Sequence, residues 1–218
     1  MSAPLADEPA RRTVRERRLV HRGPIWDVVA DDVELDPGVV VTREVIDHPG
    51  AVAVVALDPD DRVLLQRQYR HPAGLEMWEP PAGLLDVVGE DALTAAQREL
   101  YEEADLRATR WDLLVDYSTT PGGSTEALRV FLARDLVEVP AAERFEREHE
   151  EAGMPARWLP LEEAVDAVLT GGLHNPNTVV GVLAAAQARA RGWSTLRPAE
   201  TPWPHRRRHV MADVDPRA

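Results

Sequence analysis

The sequence from residue 83 to residue 106, GLLDVVGEDALTAAQRELYEEADL, joins a glycine-containing loop to a short acidic run. On a helix, Glu99 and Glu103 stand one turn apart and Glu102 lies beside them, so the three carboxylates share one side. Carboxylates this close raise one another's pKa unless a cation or an arginine neutralises them. Magnesium favours all-oxygen sites of this kind. The sequence therefore predicts a short helix that holds divalent metal.

Arg98 stands immediately before the first of these acids, and Glu90 lies in the loop upstream. Arg98 can pair with Glu90 across the loop or with Glu102 along the helix, and either pairing would fasten the loop to the helix. The alternative to a metal site is a solvated acidic helix face, which is the common reading of an isolated E-x-x-E-E run. The residues around the run favour the metal site.

The same residues resemble the Nudix box, G-x5-E-x7-R-E-U-x-E-E-x-G-U with U apolar. The matching positions are Gly83, Glu90, Arg98, Glu99, Leu100, Glu102, Glu103 and Leu106. Two departures are present: six residues separate Gly83 from Glu90, and Asp105 stands where the family has glycine. Loops tolerate insertions, and aspartate adopts left-handed dihedrals at a helix end more readily than most residues do. Neither departure removes an acid of the box.

Composition limits the function classes. The chain has 218 residues, 44% hydrophobic and 29% charged, which suits one globular domain with short appendages. It contains no cysteine, which excludes disulfides and thiolate sites. No apolar run is long enough to cross a membrane and no secretory signal is seen, so we expect a cytoplasmic protein without a membrane partner. The net charge of -13 argues against a nucleic-acid partner but allows a small phosphorylated ligand bound through metal.

Hydrophobic patterning predicts mixed α and β structure. We expect a mobile segment at 1–18, a β-hairpin subdomain at 19–48, a catalytic domain at 49–192 and a tail at 193–218. Predicted strands span 25–35, 39–47, 51–57, 62–70, 111–117, 128–133 and 156–159, and predicted helices span 161–169 and 178–191. The resemblance implies a Nudix-type α/β/α sandwich with a mixed sheet, in the α/β (α+β) class, preceded by the N-terminal β-hairpin subdomain.

Residues outside the box indicate a subgroup. Pro121 follows Leu106 by fifteen residues, within TTPGGSTEALRVFLA, and resembles the signature of the ADP-ribose pyrophosphatases. Alone it would be an ordinary Pro-Gly turn. The segments QRQYRHP (66–72) and WEPPAGLLD (78–86) are similar to the subgroup as well. By this resemblance Arg70 contacts the ligand's phosphate or ribose, and the backbone carbonyl of Ala82 is a metal ligand.

The resemblance also implies residues that bind the two ends of the substrate in a homodimer, through an N-terminal part that completes a neighbour's site. Trp26 would stack on adenine, since indole offers a flat apolar face, although core or interface packing explains it equally well. Arg43 and Glu44 would lie near the ligand or on a solvent face. Glu126 would contact the terminal ribose or stand in water.

The chemistry implied is Mg²⁺-dependent hydrolysis of ADP-ribose to AMP and ribose 5-phosphate, with Mn²⁺ as the alternative metal. Glu99, Glu102, Glu103 and the Ala82 carbonyl would bind two or three ions. Glu151, or its neighbour Glu150, would be the base that activates water. The alternatives are a pyrophosphatase for GDP-mannose, NADH or diadenosine polyphosphates, and a sensor that binds ADP-ribose without cleaving it.

Overall fold

A computed structural model describes residues 5–147, 153–204 and 206. The strands there are β1 Thr13–Arg22, β2 Asp27–Asp36, β3 Val39–Asp47, β4 Ala51–Ala56, β5 Arg62–Arg70, β6 Leu75–Glu79, β7 Ala82–Leu84, β8 Leu106–Ser118, β9 Ala127–Glu138, β10 Ala156–Pro160 and β11 Arg197–Pro198. The α-helices are α1 Ala92–Ala104, α2 Leu161–Leu169 and α3 Pro176–Ala190, and a 3₁₀ turn spans Ala141–Glu143.

The described residues divide into two compact units. The larger unit comprises residues 50–119 and 127–202 and contains a five-stranded sheet in the order β11-β8-β9-β4-β7. Strands β4 and β9 pair in parallel and the other neighbours pair antiparallel, so the sheet is mixed. A second sheet in this unit has the order β10-β5-β6. The predicted mixed α/β class is therefore confirmed.

Strand β4 is buried at every position, as its continuous apolar sequence predicts. Its alternate residues point to opposite faces of the sheet. Ala53 and Val55 belong to the core cluster that α2 and α3 complete, and Gly181 of α3 lies directly against Val55. Val52 and Val54 are also fully buried, and α1 contacts β4, β7, β8 and β9. The layers thus follow the sandwich that the family resemblance implied, with α1 set beside the short strand β7.

The smaller unit contains the antiparallel sheet β1-β2-β3 together with residues 120–126 and residues 203, 204 and 206. The predicted hairpin of β2 and β3 is confirmed, with Gly38 at φ +83° in its turn. Strand β1 is unexpected, because residues 13–18 fall within the segment predicted to be mobile. Their charges are paired across the sheet: Arg17 makes two hydrogen bonds of 2.6 Å with the buried Asp31.

Other predicted elements are confirmed within one or two residues, except that β8 and β9 extend beyond their predicted ends. Helix α3 begins at Pro176, two residues before the predicted start, because Asn175 caps it and proline suits the first turn. Strands β6 and β7 were missed, since five and three residues give too little alternation to detect. No helix in the described ranges is long and apolar enough to cross a membrane.

Candidate active site

Helix α1 is held at both ends by aspartates. The carboxylate of Asp91 accepts hydrogen bonds of 2.9 Å from the backbone N–H groups of Leu93 and Thr94, which makes it the N-cap. The largest effect on the Asp91 pKa, which is lowered, is the hydrogen bond from the Thr94 backbone. Asp105 ends the helix at φ +54°, ψ +36°, the left-handed conformation that the sequence predicted for it. The helix therefore begins and ends at defined residues, and Leu100 anchors it in the core.

Arg98 gathers the acids of the helix and the loop. Its Nε and Nη2 donate to the two carboxylate oxygens of Glu90, both at 3.0 Å. Its Nη1 donates to Glu99 at 2.7 Å and to Glu102 at 3.1 Å. Both pairings expected from the sequence are thus present, with Glu99 as a third partner. The hydrogen bonds to Glu90, followed by the charges of the other acids, raise the pKa of the Arg98 guanidinium above its usual value.

The glycine at the start of the box makes room for Glu99. A Cβ at Gly83 would lie 1.8 Å from Oε1 of Glu99 and 2.0 Å from its Cδ. The Glu99 residue is only 8% exposed, so its carboxylate has little space to move aside. Nearby, Oε2 of Glu103 accepts a hydrogen bond of 3.0 Å from the backbone N–H of Ala82. The acids of α1 are therefore packed against the backbone of β7.

The residues offer the donor set that a hard divalent cation needs. Carboxylate and carbonyl oxygens suit Mg²⁺ and Mn²⁺. The missing side chain of Gly83 leaves room for the Glu99 carboxylate, and Glu103 lies against the Ala82 backbone. Within the described ranges no three acidic or histidine side chains converge on one point. Arg98 instead bonds to Glu99 and Glu102, and Ala82 to Glu103. The positive charge of Arg98 thus lies among carboxylates that a cation would also neutralise.

Arg70 lies at a cavity that adjoins these acids. The cavity is lined by Gln66, Gln68, Arg70, Glu79, Pro80, Ala82, Glu103 and Met154. Arg70 donates to both oxygens of the Glu79 carboxylate, at 2.8 and 2.5 Å, and the Glu79 side chain is only 4% exposed. The Arg70 side chain is 44% exposed. One edge of the guanidinium is thus bound to a buried acid, and the side chain remains partly exposed at the cavity.

Glu79 and Gln66 also line this cavity, and the sequence predicted no role for either residue. Glu79 is the second residue of the segment WEPPAGLLD (78–86), and Gln66 is the first residue of QRQYRHP (66–72). Both are buried polar residues, which require hydrogen-bond partners. The sequence alone identifies neither partner, because Arg70 of β5 meets Glu79 of β6, and Gln66 meets the Glu103 carbonyl of α1, only in the folded chain.

The smaller unit carries the remaining predicted substrate residues that the structure describes. Trp26 lies between β1 and β2 and is 39% exposed. Arg43 and Glu44 are exposed on β3, and Pro121 is exposed in the turn that Gly123 closes by donating to Thr120.

Glu126 follows that turn, half-buried, and its Oε1 lies 3.7 Å from Nε2 of His48. Thr125 ties the same turn to β3 by donating its backbone N–H to the Ile46 carbonyl at 2.9 Å. The predicted base, Glu151, and its alternative, Glu150, lie outside the described residues.

Known proteins match the chain over this region and beyond it. The NUDIX domain family matches residues 47–178. An ADP-ribose pyrophosphatase of Mycobacterium tuberculosis is 46% identical over 184 residues, which cover 84% of this chain and 87% of that protein. A CMP-5'-(N-acetyl-N-hydroxy-3-aminopropyl)phosphonate hydrolase of Streptomyces rubellomurinus is 34% identical over 78% of this chain and 80% of its own length.

A solved structure supports the fold independently. The crystal structure of an ADP compounds hydrolase superposes with a TM-score of 0.70 at 23% identity, covering 86% of this chain and 99% of that one. The domain match includes the whole of α1 and the loop before it. This chain therefore belongs to the Nudix hydrolase family, whose members generally need a divalent metal.

Proposed function

We propose that this protein hydrolyses the pyrophosphate of ADP-ribose to AMP and ribose 5-phosphate. The observation that carries the proposal is the cavity in which Arg70, Ala82 and Glu103 meet, because it sets a phosphate-binding cation beside oxygen donors for metal. The ADP-ribose pyrophosphatase that is 46% identical over most of both chains supports this substrate. The proposal includes a cytoplasmic location, which cell fractionation would test.

The metal in this proposal is Mg²⁺, with Mn²⁺ as the alternative. The carboxylates of Glu99, Glu102 and Glu103 and the carbonyl of Ala82 would hold it. When bound, the metal neutralises the pyrophosphate and stabilises the charge that develops on the leaving phosphate. The acidic net charge of the chain is then no obstacle to an anionic substrate.

Protein groups bind the substrate and move the proton. Arg70 donates to a phosphate oxygen while Glu79 keeps its guanidinium in place. Glu151, or Glu150, accepts the proton of the water that attacks phosphorus in line with the leaving oxygen. Gly83 and the pairing of Arg98 with Glu90 keep the loop against α1, so that the acids keep their places.

We further propose that residues of the smaller unit bind the two ends of the ligand. Trp26 would stack on adenine, with Arg43 and Glu44 beside it, and Pro121 and Glu126 would lie at the terminal ribose. The exposure of Trp26, which is 39%, and of the Glu126 side chain, which is 29%, supports these roles, since both residues are accessible from solvent.

The protein is proposed to act as a homodimer, through the sheet β1-β2-β3. Several apolar side chains of this sheet are exposed and would be covered in a dimer, including Val14, Leu19, Val20, Val39 and Val40. Light scattering on the purified protein would test this, with twice the chain mass of 24.2 kDa as the expected result. A monomer at working concentrations would contradict it.

Product analysis tests the substrate. Purified protein with Mg²⁺ would be offered ADP-ribose, GDP-mannose, NADH and diadenosine polyphosphates, and AMP and ribose 5-phosphate would be resolved by chromatography. Preferential release of AMP from ADP-ribose is the expected result. Preference for another compound would overturn the substrate but keep the pyrophosphatase. Binding of ADP-ribose without turnover would overturn catalysis and indicate a sensor.

A further inference from the structure

The last turn of α1 leaves backbone carbonyls without partners inside the helix. Two of these belong to proposed metal ligands, and each accepts a hydrogen bond from a distant side chain. The Glu102 carbonyl accepts from Nε of Arg147 at 2.7 Å. The Glu103 carbonyl accepts from Nε2 of Gln66 at 2.5 Å. Gln66 and Arg147 thus hold the main chain at the two positions from which the acids project.

Both donors are themselves held. Gln66 is only 5% exposed, and it lies within β5, where it pairs with Glu79 of β6 and Ala156 of β10. Nη2 of Arg147 forms an ion pair of 2.7 Å with Oδ2 of Asp105. A buried glutamine on a central strand has few other conformations. Because the guanidinium of Arg147 is already paired with the Asp105 carboxylate, it loses little further conformational freedom when it donates to the Glu102 carbonyl.

Asp105 is the residue that departs from the family's glycine. Its backbone has the left-handed conformation, φ +54°, that glycine adopts freely. Relative to glycine, aspartate adds a carboxylate at this position. The carboxylate meets Arg147, and the Asp105 carbonyl accepts from the N–H of Val139 at 2.9 Å. Asp105 therefore supplies a carboxylate that holds Arg147, the residue that donates to the Glu102 carbonyl.

We infer that Gln66 and Arg147, the latter through Asp105, are positioning residues for the metal-binding acids Glu103 and Glu102. They act through the backbone carbonyls of the two acids. The inference rests on the proposed function for its metal site. Mutation of side chains that orient metal ligands in this indirect way typically lowers metal affinity by about 10–100-fold.

The test is Mn²⁺ binding, measured by titration calorimetry on the full chain without substrate. We expect Gln66→Met and Arg147→Met each to weaken Mn²⁺ affinity by about tenfold, with Arg147→Lys recovering part of the loss. Arg144→Met is the matched control, because Arg144 lies 4.0 Å from the same Asp105 carboxylate but donates to the Val139 carbonyl instead of α1. Its Mn²⁺ affinity should stay at the wild-type value.

Asp105 provides a second, gentler test. Asp105→Gly removes the carboxylate and suits the left-handed backbone, so the fold should tolerate it. We expect it to weaken Mn²⁺ binding less than Arg147→Met and to have no further effect in the double variant, since both changes remove one anchor. Asp105→Asn, which keeps a side-chain acceptor, should fall between wild type and Asp105→Gly.

The outcomes separate the inference from the function it rests on. Unchanged Mn²⁺ affinity in the Gln66 and Arg147 variants would overturn the inference alone, even if their melting temperatures fell, because a purely structural role alters stability and not the folded site. Equal losses in the Arg144 control would also overturn it. A wild-type protein that binds no Mn²⁺ would overturn the metal site and the inference together.

Discussion

The guanidinium of Arg98 holds the carboxylate of Glu90 with two hydrogen bonds of 3.0 Å, across eight positions of sequence. The pairing fastens the loop of the box to the helix that carries the acids. Since the same guanidinium reaches Glu99 and Glu102, it also offsets their mutual repulsion. One arginine thus closes the loop and permits a dense group of carboxylates on α1.

Replacing Arg98 should reveal the electrostatic repulsion among the acids that it bonds. Arg98→Met leaves three partly buried acids uncompensated, and we expect the free energy of unfolding in urea to fall by about 2–3 kcal/mol. Added Mg²⁺ should restore more stability to the variant than to the wild type, because a cation then replaces the lost charge. Arg107→Met is the control, since its partner Glu143 is exposed and such pairs contribute about 0–1 kcal/mol. Equal losses in the two variants would contradict this account.

Because Gly83 and Glu99 lie so close together, we expect a side chain at position 83 to lower both stability and metal affinity. Gly83→Ala places a methyl group 1.8 Å from Oε1 of Glu99, so the carboxylate must move. We expect a loss of about 1–3 kcal/mol in unfolding free energy and weaker Mn²⁺ binding by calorimetry. Gly122→Ala, whose added Cβ would meet no atom within 4 Å, should leave the unfolding free energy unchanged. Wild-type Mn²⁺ affinity in Gly83→Ala would show that this contact does not matter for the metal.

The N-cap of α1 predicts a pH dependence. The pKa of Asp91 is lowered in the folded state, so its contribution is present above the unfolded pKa and is lost as pH falls through the folded pKa. Asp91→Ala should cost about 1 kcal/mol of unfolding free energy at neutral pH. That deficit should shrink below about pH 4. Urea unfolding across this range measures the deficit, with Asp91→Asn as the variant that keeps the cap. A deficit that does not change with pH would contradict the predicted role of the Asp91 carboxylate.

Arg70 and its buried partner should act together on substrate binding. Arg70→Lys loses the two-pronged geometry, and we expect the KM for ADP-ribose to rise by about tenfold. Glu79→Gln should raise KM in the same direction, because Arg70 is then less firmly held. Arg67→Lys is the matched control on the same strand, since Arg67 faces the exposed Glu76 at 3.7 Å. Steady-state kinetics decide the matter, and an unchanged KM in both test variants would remove Arg70 from the phosphate site.

Much of the fold could be predicted because local signals were strong. The apolar run of β4, the Asp36-Pro37-Gly38 turn of the hairpin and the Gly171-Gly172 stop after α2 each act over a few residues. Strand β1 could not be predicted in this way. Its sequence, TVRERRLVHR, is rich in charge and lacks an apolar-polar alternation, and it is stabilised by partners such as Asp31 that are adjacent only after the sheet forms.

The same difference between local signals and long-range contacts applies to the candidate site. The spacing of residues 98–103 on one helix is visible in the sequence, and so is the capacity of Asp105 for a left-handed backbone. The contacts of Arg70 with Glu79 and of Gln66 with the Glu103 carbonyl join different elements. Such long-range pairs leave no periodic signal, so only the folded chain shows them.

Glu103→Gln tests most directly whether the acids of α1 hold the metal on which hydrolysis depends. Glutamine keeps an acceptor for the Ala82 N–H, so circular dichroism and the melting temperature should match wild type. Release of AMP from ADP-ribose in Mg²⁺ should fall by at least about 10³-fold, while the surface control Glu163→Gln keeps full activity. Wild-type turnover by Glu103→Gln at every Mg²⁺ concentration would contradict the account.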